Sequence, residues 1–200
     1  MLVLASSSPR RRELLTQWGY LFNLVGGNVS ETVPQGLAPE EAVMEIAGRK
    51  ALKGWENWRR QTGSSSDVVL GADTLVVFNG TMLGKPLNEK DAWNMLSALS
   101  GKTHQVMTGI ALVDAITMAE EEKGYLTWVE VTTVVFKEIS GREIEDYIST
   151  GEPMDKAAGY GIQGKAEMFV DHIVGSLTNV IGLPRELLEQ KLQDRGILPG

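Results

Sequence analysis

The sequence contains no cysteine and only two histidines. The absence of thiols excludes disulfide bonds, a cysteine nucleophile and cysteine-ligated zinc sites. The histidines, His104 and His172, lack the close spacing of a metal-binding pair. No G-x-S-x-G segment is present for a serine hydrolase. A complete P-loop is also missing, because SGKT at 100–103 has Leu96 where that motif needs its first glycine.

The chain also lacks a basic excess and a long apolar run. It has 19 lysines and arginines against 26 acidic residues, a net charge of −7, which argues against a general binder of nucleic acid or membrane surfaces. No apolar run approaches the ~20 residues of a membrane helix, and the N-terminus does not match a signal peptide. We therefore expect a cytoplasmic protein that forms a single domain over residues 1–200, with neither polymeric nucleic acid nor membrane as a partner.

Hydrophobic periodicity predicts alternating strands and helices. Residues 1–5 are typical of a short buried strand, and a helix is predicted to begin with Ser8 as N-cap and Pro9 as first residue and to end at Gly19. The predicted elements up to residue 100 are a strand over 21–26, a polar loop over 27–38, a helix over 39–58, a linker over 60–67, two strands within 68–86 that are separated by a break at Asp73 and followed by an Asn79-Gly80 turn, and a helix over 89–100. The elements predicted after them are β segments over 104–115 and 125–139 with an exposed loop over 119–124, a short helix over 141–150, a polar loop over 151–164, a strand over 167–176 and a closing helix over 183–198. This order predicts an α/β fold with a mixed β-sheet and flanking helices.

The segment SSSPRRR, residues 6–12, places three arginines in the first turn of the first predicted helix. The helix dipole makes this end positive, so each cation there is unfavourable by about 0.3–1 kcal/mol. A strand that turns directly into a helix presents backbone N–H groups to an anion, and serine and arginine side chains add further donors. The segment therefore indicates a phosphate site, with a triphosphate as the ligand that offsets this charge. The alternative is that the arginines are simply solvated.

The segment GADTLVVFNGTMLGKP, residues 71–86, offers a carboxylate and a cation. Asp73 falls between two apolar runs, and we predict that it stands at a strand end, held rigidly for metal binding or for taking a proton from water. Lys85 follows a predicted hairpin that would return it toward Asp73 as a phosphate-binding cation. The alternatives are that Asp73 caps its own turn and that Lys85 is solvated.

Lys50 interrupts an apolar stripe of the second helix, formed by Val43, Ile46 and Ala47. A lysine in such a stripe either reaches a cleft with its ammonium group or extends along the apolar surface to solvent. Glu31, in the polar loop before this helix, is on its own an ordinary loop carboxylate.

The loop GEPMDKAAGYGIQG, residues 151–164, combines four glycines with Asp155, Lys156, Tyr160 and Gln163. Glycines allow a backbone to approach a ligand closely. The glutamine amide offers a donor beside an acceptor, which matches the O4 and N3–H of uracil or thymine, whereas a glutamate would offer acceptors only. The alternative is a surface loop packed by its own tyrosine.

Together these stretches resemble the Maf family, the septum-formation-inhibitor homologues that act as nucleoside triphosphate pyrophosphatases. The resembling stretches are LASSSPRRRELL, GADTLVVFNGTMLGKP, LSGKTHQVMTGIAL, DYISTGEPMDKAAGYGIQG and VGSLTNVIGLPRELL. The resemblance covers nearly the whole chain. It implies two lobes around a deep cleft, a fold similar to that of inosine triphosphate pyrophosphatases, and a homodimer.

The resemblance also assigns roles residue by residue. Asp73 matches a general base or metal-organising carboxylate, and Glu31 would complete a site for Mg²⁺ or Mn²⁺. Residues that match phosphate-binding or charged cleft positions are Ser6, Arg10, Arg11, Arg12, Lys50, Lys85 and Asp155. Arg10, Thr74 and Gln163 match the three positions that separate a dTTP/UTP subgroup from a 7-methyl-GTP subgroup, and all three are of the pyrimidine type.

Two departures from the family pattern lie in the 151–164 loop and directly after it. The family usually reads D-K-A-G-A-Y where this chain has DKAAGY, so Ala158 and Gly159 are exchanged. The usual small, glycine-rich stretch after Gly164 is here KAEMF, in which Lys165 adds a cation to the cleft or faces water.

The resemblance implies a hydrolase that cleaves the α–β phosphoanhydride of dTTP and UTP, or of modified pyrimidine nucleotides, to the monophosphate and pyrophosphate. One alternative is a nucleotide-binding regulator of cell division without turnover. The presence of both an acid and a set of cations argues against it. Another is a phosphatase or kinase that breaks a β–γ bond, and the missing P-loop argues against the kinase.

Overall fold

The computed structural model describes residues 1–33 and 36–200, so residues 34 and 35 of the predicted polar loop lie outside the described residues. The helices are α1 Pro9–Gln17, α2 Pro39–Thr62, α3 Glu89–Leu99, α4 Ala115–Glu120, α5 Gly141–Ile148, α6 Leu177–Ile181 and α7 Arg185–Gln193. The strands are β1 Leu2–Leu4, β2 Phe22–Leu24, β3 Val68–Phe78, β4 Thr81–Leu83, β5 Thr103–Val113, β6 Leu126–Phe136 and β7 Val170–Val174. Short 3-10 turns span Glu152–Asp155, Ala157–Gly159 and Lys165–Phe169. None of the described helices is long and apolar enough to cross a membrane.

The strands form one mixed sheet in the order β2-β1-β3-β5-β6-β7, and β4 pairs with β3. Strand β1 is parallel to both β2 and β3, with Leu2 opposite Phe22 on one side and Val68 on the other. Strand β4 is antiparallel to β3, and β7 is antiparallel to β6. Parallel and antiparallel pairs in the same sheet, with helices around it, confirm the predicted fold class.

Helix α1 begins as the sequence predicts. Ser8 is the N-cap, Pro9 is the first helical residue, and Gly19 follows the helix end with a φ of +81°. A proline suits the first position because its fixed φ is helical and its missing N–H would have no partner inside the helix. Leu14 and Leu15 are buried. The three arginines therefore occupy the first turn of α1, as predicted.

The predicted strand break at Asp73 is wrong. Strand β3 runs continuously from Val68 to Phe78, so Asp73 lies in its middle rather than at an end. The sequence suggested a break because a carboxylate rarely stands within a buried strand without a partner. A lysine from α2 supplies that partner, and the extended backbone continues through Asp73.

Three smaller predictions also need correction. Residues 115–120 form α4, not strand and loop, because the side chain of Asp114 caps the helix by accepting a 2.7 Å hydrogen bond from the Thr117 N–H. Residues 165–169 form a 3-10 turn, so the last strand begins only at Val170. The predicted linker over 60–67 is the end of α2 and a short turn. Its Asp67 is buried and accepts a 2.8 Å hydrogen bond from Trp58 Nε1.

The chain divides into two compact units. The first comprises residues 1–73, 108–130 and 182–200. In its core α2 packs closely on the strands, because glycines remove the side chains that would separate them. A Cβ on Gly71 of β3 would lie 2.4 Å from the Ala47 carbonyl oxygen, and a Cβ on Gly109 of β5 would lie 2.6 Å from that of Val43. This close approach fixes α2 over the middle of β3.

The second unit comprises residues 74–107 and 131–181. Its core is rich in aromatic rings that meet edge to face, as aromatic pairs prefer. Helices α3 and α5 contribute the buried side chains of Leu96, Leu99 and Ile144 to the same cluster. The 151–164 loop adds Ala158 and Tyr160, so part of this loop belongs to the core.

Candidate functional site

A lysine and two carboxylates meet in the first unit. Lys50 Nζ lies 2.6 Å from Asp73 Oδ1 and 2.7 Å from Glu31 Oε1. The side chains of Lys50 and Asp73 are 12% and 11% exposed, and that of Glu31 is 54% exposed. An ammonium group so far from water needs charged acceptors, and it has two. The lysine in the apolar stripe therefore reaches a charged site, and the structure brings three of the predicted residues together.

The position of Lys50 follows from the packing of α2 on β3. Lys50 stands one helical turn after Ile46 and Ala47, which are buried against the sheet. Gly71 lets this face of α2 approach β3, and Asp73 follows two residues later on the same side of the strand. Both partners therefore lie on rigid elements, which favours a reproducible geometry.

Among the three arginines at the start of α1, Arg11 is the buried one, at 8% exposure. Arg10 is half-buried and Arg12 is exposed. Arg11 Nε donates to the Gly182 carbonyl oxygen at 2.9 Å, and its Nη1 lies 3.4 Å from Ser6 Oγ. Two of the predicted phosphate ligands, Ser6 and Arg11, are therefore in contact. Solvation of all three arginines, the alternative, is wrong for Arg11.

The buried guanidinium of Arg11 is electrostatically coupled to the carboxylates. Burial lowers the pKa of Arg11, and the negative charges of Asp73 and Glu31 act in the opposite direction. A guanidinium keeps its proton in proteins. The first unit therefore holds two cations, Arg11 and Lys50, and two carboxylates, Asp73 and Glu31, whose charges influence one another.

In the second unit, the 151–164 loop exposes the predicted residues Asp155 and Gln163. Lys156 Nζ lies 2.7 Å from Asp155 Oδ1 and donates to the Glu152 carbonyl oxygen at 2.8 Å. The Lys156 side chain is 15% exposed, whereas that of Asp155 is 79% exposed. Asp155 is therefore a surface carboxylate oriented by a nearly buried lysine.

The remaining predicted residues of the second unit are Thr74 and Lys85. Thr74 is half-buried on β3, and Lys85 is exposed after β4. The carbonyl of Gly84, next to Lys85, accepts a 2.9 Å hydrogen bond from the Ala158 N–H. Lys85 is thus tied through the backbone to the 151–164 loop.

The departure at Ala158 and Gly159 is visible in the backbone. Ala158 has a φ of +54° and Gly159 a φ of +73°. A left-handed conformation costs a non-glycine residue roughly 1–2 kcal/mol. Ala158 is therefore strained in this chain, whereas a glycine would adopt this conformation without that penalty.

Two carboxylate oxygens converge on one cation, the Lys50 ammonium. Within residues 1–33 and 36–200, no cluster of three or more Asp, Glu, His or Cys side chains could hold a metal ion. Mg²⁺ is commonly held by one or two carboxylates, with substrate phosphates and water as its other ligands. The donor pair of Asp73 and Glu31 fits a metal of that kind and does not fit an all-protein metal cage. In chemical terms the group can bind phosphate, hold a cation and accept a proton.

Sequence reasoning missed two features of the second unit. The first is that Lys156 orients Asp155. The sequence shows only that these two residues are neighbours in the chain. The second is His104, whose Nε2 lies 2.6 Å from the Tyr160 hydroxyl. The alternation of exposed Thr103 and Gln105 with buried His104 could have marked this histidine as a core residue.

Comparison with known proteins gives consistent matches over almost the whole chain. A family model described as Maf-like protein matches residues 1–195. A relative from Desulfitobacterium hafniense (strain Y51) is 50% identical over 197 residues, which cover 98% of this chain and 86% of the relative. A relative from Pelotomaculum thermopropionicum is 44% identical over 196 residues, which cover 98% and 96% of the two chains. Both relatives are named dTTP/UTP pyrophosphatase.

Two solved structures are also similar. The Staphylococcus aureus Ham1 protein aligns over 96% of this chain and 98% of its own, with a TM-score of 0.49 and 11% identity. A nucleoside-triphosphatase / dITP/XTP pyrophosphatase from Mycobacterium abscessus aligns over 69% and 75%, with a TM-score of 0.39 and 18% identity. The fold class itself rests on the strand pairings and helices of this chain.

Proposed function

The chain belongs to the Maf-like protein family, and on this premise we propose that it hydrolyses the α–β phosphoanhydride of dTTP and UTP to the monophosphate and pyrophosphate. It would thus be a nucleoside triphosphate diphosphatase. The observation that carries the proposal is the contact of Lys50 with Asp73 and Glu31 in a chain that is 50% identical to a dTTP/UTP pyrophosphatase. The coupled cation of Arg11 supports it, because a triphosphate needs several positive partners.

In the proposed reaction, a water oxygen attacks the α-phosphorus in line with the bond to the bridging oxygen. That bond breaks, and pyrophosphate leaves with the bridging oxygen. Asp73 has two carboxylate oxygens, so it can hold a cation with one and accept the water proton with the other. Mg²⁺ or Mn²⁺ held by Asp73 and Glu31 would supply Lewis-acid activation of water and neutralise phosphate charge.

The phosphate chain is proposed to bind to Ser6, Arg10, Arg11 and Lys50. Arg11 is fixed by Gly182, so its guanidinium is already oriented before substrate binds. Lys50 carries its ammonium on a flexible four-carbon stem, so it can move from the carboxylates to a phosphate oxygen. Lys85 and Asp155 are proposed as further charged contacts, and both are exposed.

The choice of base is assigned to Arg10, Thr74 and Gln163. Gln163 is exposed, so its amide is accessible to a ligand. Its N–H can donate to O4 of thymine or uracil, while its carbonyl accepts from N3–H. The sequence resemblance to the dTTP/UTP subgroup at these three positions supports this assignment.

The remaining proposals concern organisation. The family match over residues 1–195 supports a single domain over the whole chain. The family resemblance supports a homodimer. The acidic net charge of −7 supports an enzyme without polymeric nucleic acid as a partner, and a cytoplasmic location is proposed with it.

A parallel substrate panel tests the proposal. The protein would be given dTTP, UTP, CTP, GTP and 7-methyl-GTP with Mg²⁺ or Mn²⁺, and the products would be separated by chromatography. We expect dTMP or UMP with pyrophosphate, and little product from 7-methyl-GTP. Preferred hydrolysis of 7-methyl-GTP would contradict the pyrimidine assignment. Tight nucleotide binding without turnover would favour the alternative, a nucleotide-binding regulator of cell division.

A further inference from the structure

A hydrogen bond between two buried side chains links strand β5 to the 151–164 loop. His104 Nε2 and the Tyr160 hydroxyl oxygen are 2.6 Å apart. His104 is 2% exposed and Tyr160 is 6% exposed. Tyr160 stands three residues before Gln163, so this contact lies close to the proposed base-selecting residue.

The surroundings of the pair are apolar. The ring of Phe136 meets both rings edge to face, with centroids 4.8 Å from each. Burial lowers the pKa of His104 to about 4 and raises the pKa of Tyr160 above its usual value. Both shifts favour the neutral forms, so the contact is a hydrogen bond between two uncharged side chains.

Burying the polar groups of His104 and Tyr160 costs free energy. This cost argues that the two residues do more than pack the core. His104 Nδ1 has no hydrogen-bond partner among the residues that the structure describes. A buried polar atom without a partner carries a desolvation cost that an apolar side chain in the same place would not. The hydrogen bond between the two side chains is directional. It therefore fixes one orientation of Tyr160, whereas apolar packing alone would allow several orientations.

Two further contacts hold the same loop. Glu152 accepts hydrogen bonds from the Tyr147 hydroxyl at 3.3 Å and from the Lys165 N–H at 3.2 Å. The Ala158 N–H donates to the Gly84 carbonyl oxygen at 2.9 Å. Gln163 is exposed and stands between Tyr160 and Lys165, two of these anchored residues. Its backbone is therefore restrained on both sides while its amide is accessible.

We propose that His104 and Tyr160 form a positioning pair, which fixes the 151–164 loop so that Gln163 presents its amide to a pyrimidine base in one orientation. The recognition part of this inference rests on the proposed function. The positioning part concerns the loop alone. Neither residue touches the substrate in this account, so both act through the loop.

The test is Tyr160→Phe, which keeps the ring and removes only the hydroxyl. Hydrogen exchange of residues 151–164 should become faster, KM for dTTP should rise about tenfold, and kcat should change less than about twofold. The pH profile should keep its shape. His104→Gln, which can place an amide group near the position of Nε2, should keep KM near the wild-type value, whereas His104→Leu should raise KM as Tyr160→Phe does.

Tyr125→Phe is the matched control. It removes another tyrosine hydroxyl, which donates to Glu45 Oε2 at 2.8 Å in the first unit. Its KM for dTTP and the exchange of the 151–164 loop should equal those of the wild type, even if its thermal stability falls.

Unchanged loop exchange in Tyr160→Phe would overturn the inference, and so would faster exchange with an unchanged KM. A wild-type protein that does not hydrolyse dTTP would refute the proposed function instead. Faster loop exchange in Tyr160→Phe would still support the positioning pair in that case, because this readout needs no substrate.

Discussion

Lys50 Nζ lies 2.6 Å from Asp73 Oδ1 and joins helix α2 to the middle of strand β3. Both side chains are nearly buried, so the attraction between their charges is screened much less than at the surface. Glu31 binds the same ammonium group. The lysine therefore contacts both carboxylates that are proposed as metal ligands.

This arrangement predicts that Lys50 competes with the metal. Lys50→Met removes the charge and keeps most of the apolar stem, so Asp73 and Glu31 are left without the ammonium. Mn²⁺ should bind the nucleotide-free variant at least about tenfold more tightly than the wild type, as measured by electron paramagnetic resonance titration. Turnover of dTTP should fall, because a phosphate partner is lost.

Lys53→Met is the control for this experiment. Lys53 lies on the same helix and pairs with the exposed Glu56 at 3.2 Å. Its Mn²⁺ affinity should match that of the wild type. Equal or weaker Mn²⁺ binding in Lys50→Met would show that the two carboxylates are not the metal ligands.

Asp73→Asn should abolish most of the turnover. An amide cannot accept the water proton and is a poorer ligand for a cation, so kcat for dTTP should fall about 10²- to 10⁴-fold. Asp67→Asn is a matched change of another buried carboxylate in the same unit. It should lower the free energy of unfolding and leave kcat nearly unchanged. Wild-type turnover by Asp73→Asn would remove Asp73 from the mechanism.

Gln163→Glu should weaken the recognition of pyrimidines. A glutamate offers only acceptors, so O4 of thymine would face a negative charge and lose its donor. We expect kcat/KM for dTTP to fall by about one to two orders of magnitude, while the activity on 7-methyl-GTP is unchanged or rises. Gln105→Glu introduces the same charge at an exposed residue of β5. It should leave the ratio of kcat/KM for dTTP to kcat/KM for 7-methyl-GTP as in the wild type. Unchanged relative rates in Gln163→Glu would refute the role of Gln163.

The ion pair of Asp114 with Arg195 predicts a specific acid dependence of stability. Burial alone would raise the pKa of Asp114, but the hydrogen bonds from Thr117 and the charge of Arg195 outweigh burial and hold this pKa below its ordinary 3.8. The folded state therefore binds the proton less readily than the unfolded state. The resulting stabilisation is fully present above the ordinary pKa and is lost as the pH falls through the folded value.

Asp114→Asn is the variant that reveals this contribution. Urea midpoints of the wild type and the variant should differ by a constant amount from neutral pH down to about pH 4, and the difference should shrink below that. A difference that persists undiminished at about pH 2 would mean that the charge of Asp114 is not its source.

The sequence singled out Lys50 and Arg11 as cations in unusual places, and both have polar or charged partners in the structure, while their roles in binding substrate stay predictions. Lys50 interrupts an apolar helical stripe, and Arg11 stands at a positive helix end. The fold class was predicted from the alternation of periodicities, and the start of α1 from Ser8 and Pro9. These patterns depend only on residues that are close together in the chain, so they can be recognised in a single sequence.

The errors have a common physical origin in partners that are distant along the chain. Asp73 was predicted at a strand break because its partner, Lys50, stands 23 residues earlier. His104 was considered only as a metal ligand because its partner, Tyr160, lies 56 residues later. Periodicity reports which face of an element is buried, but it does not report which side chain completes a buried polar group.

The most direct test of the central claim is the position of isotope after hydrolysis of dTTP in water enriched in ¹⁸O, analysed by mass spectrometry of both products. Attack at the α-phosphorus predicts one ¹⁸O atom in dTMP and none in pyrophosphate. An ¹⁸O atom in pyrophosphate would show attack at the β-phosphorus, and labelled orthophosphate with dTDP would show cleavage of the β–γ bond. Either of these results would contradict the mechanism in which Asp73 directs water to the α-phosphorus.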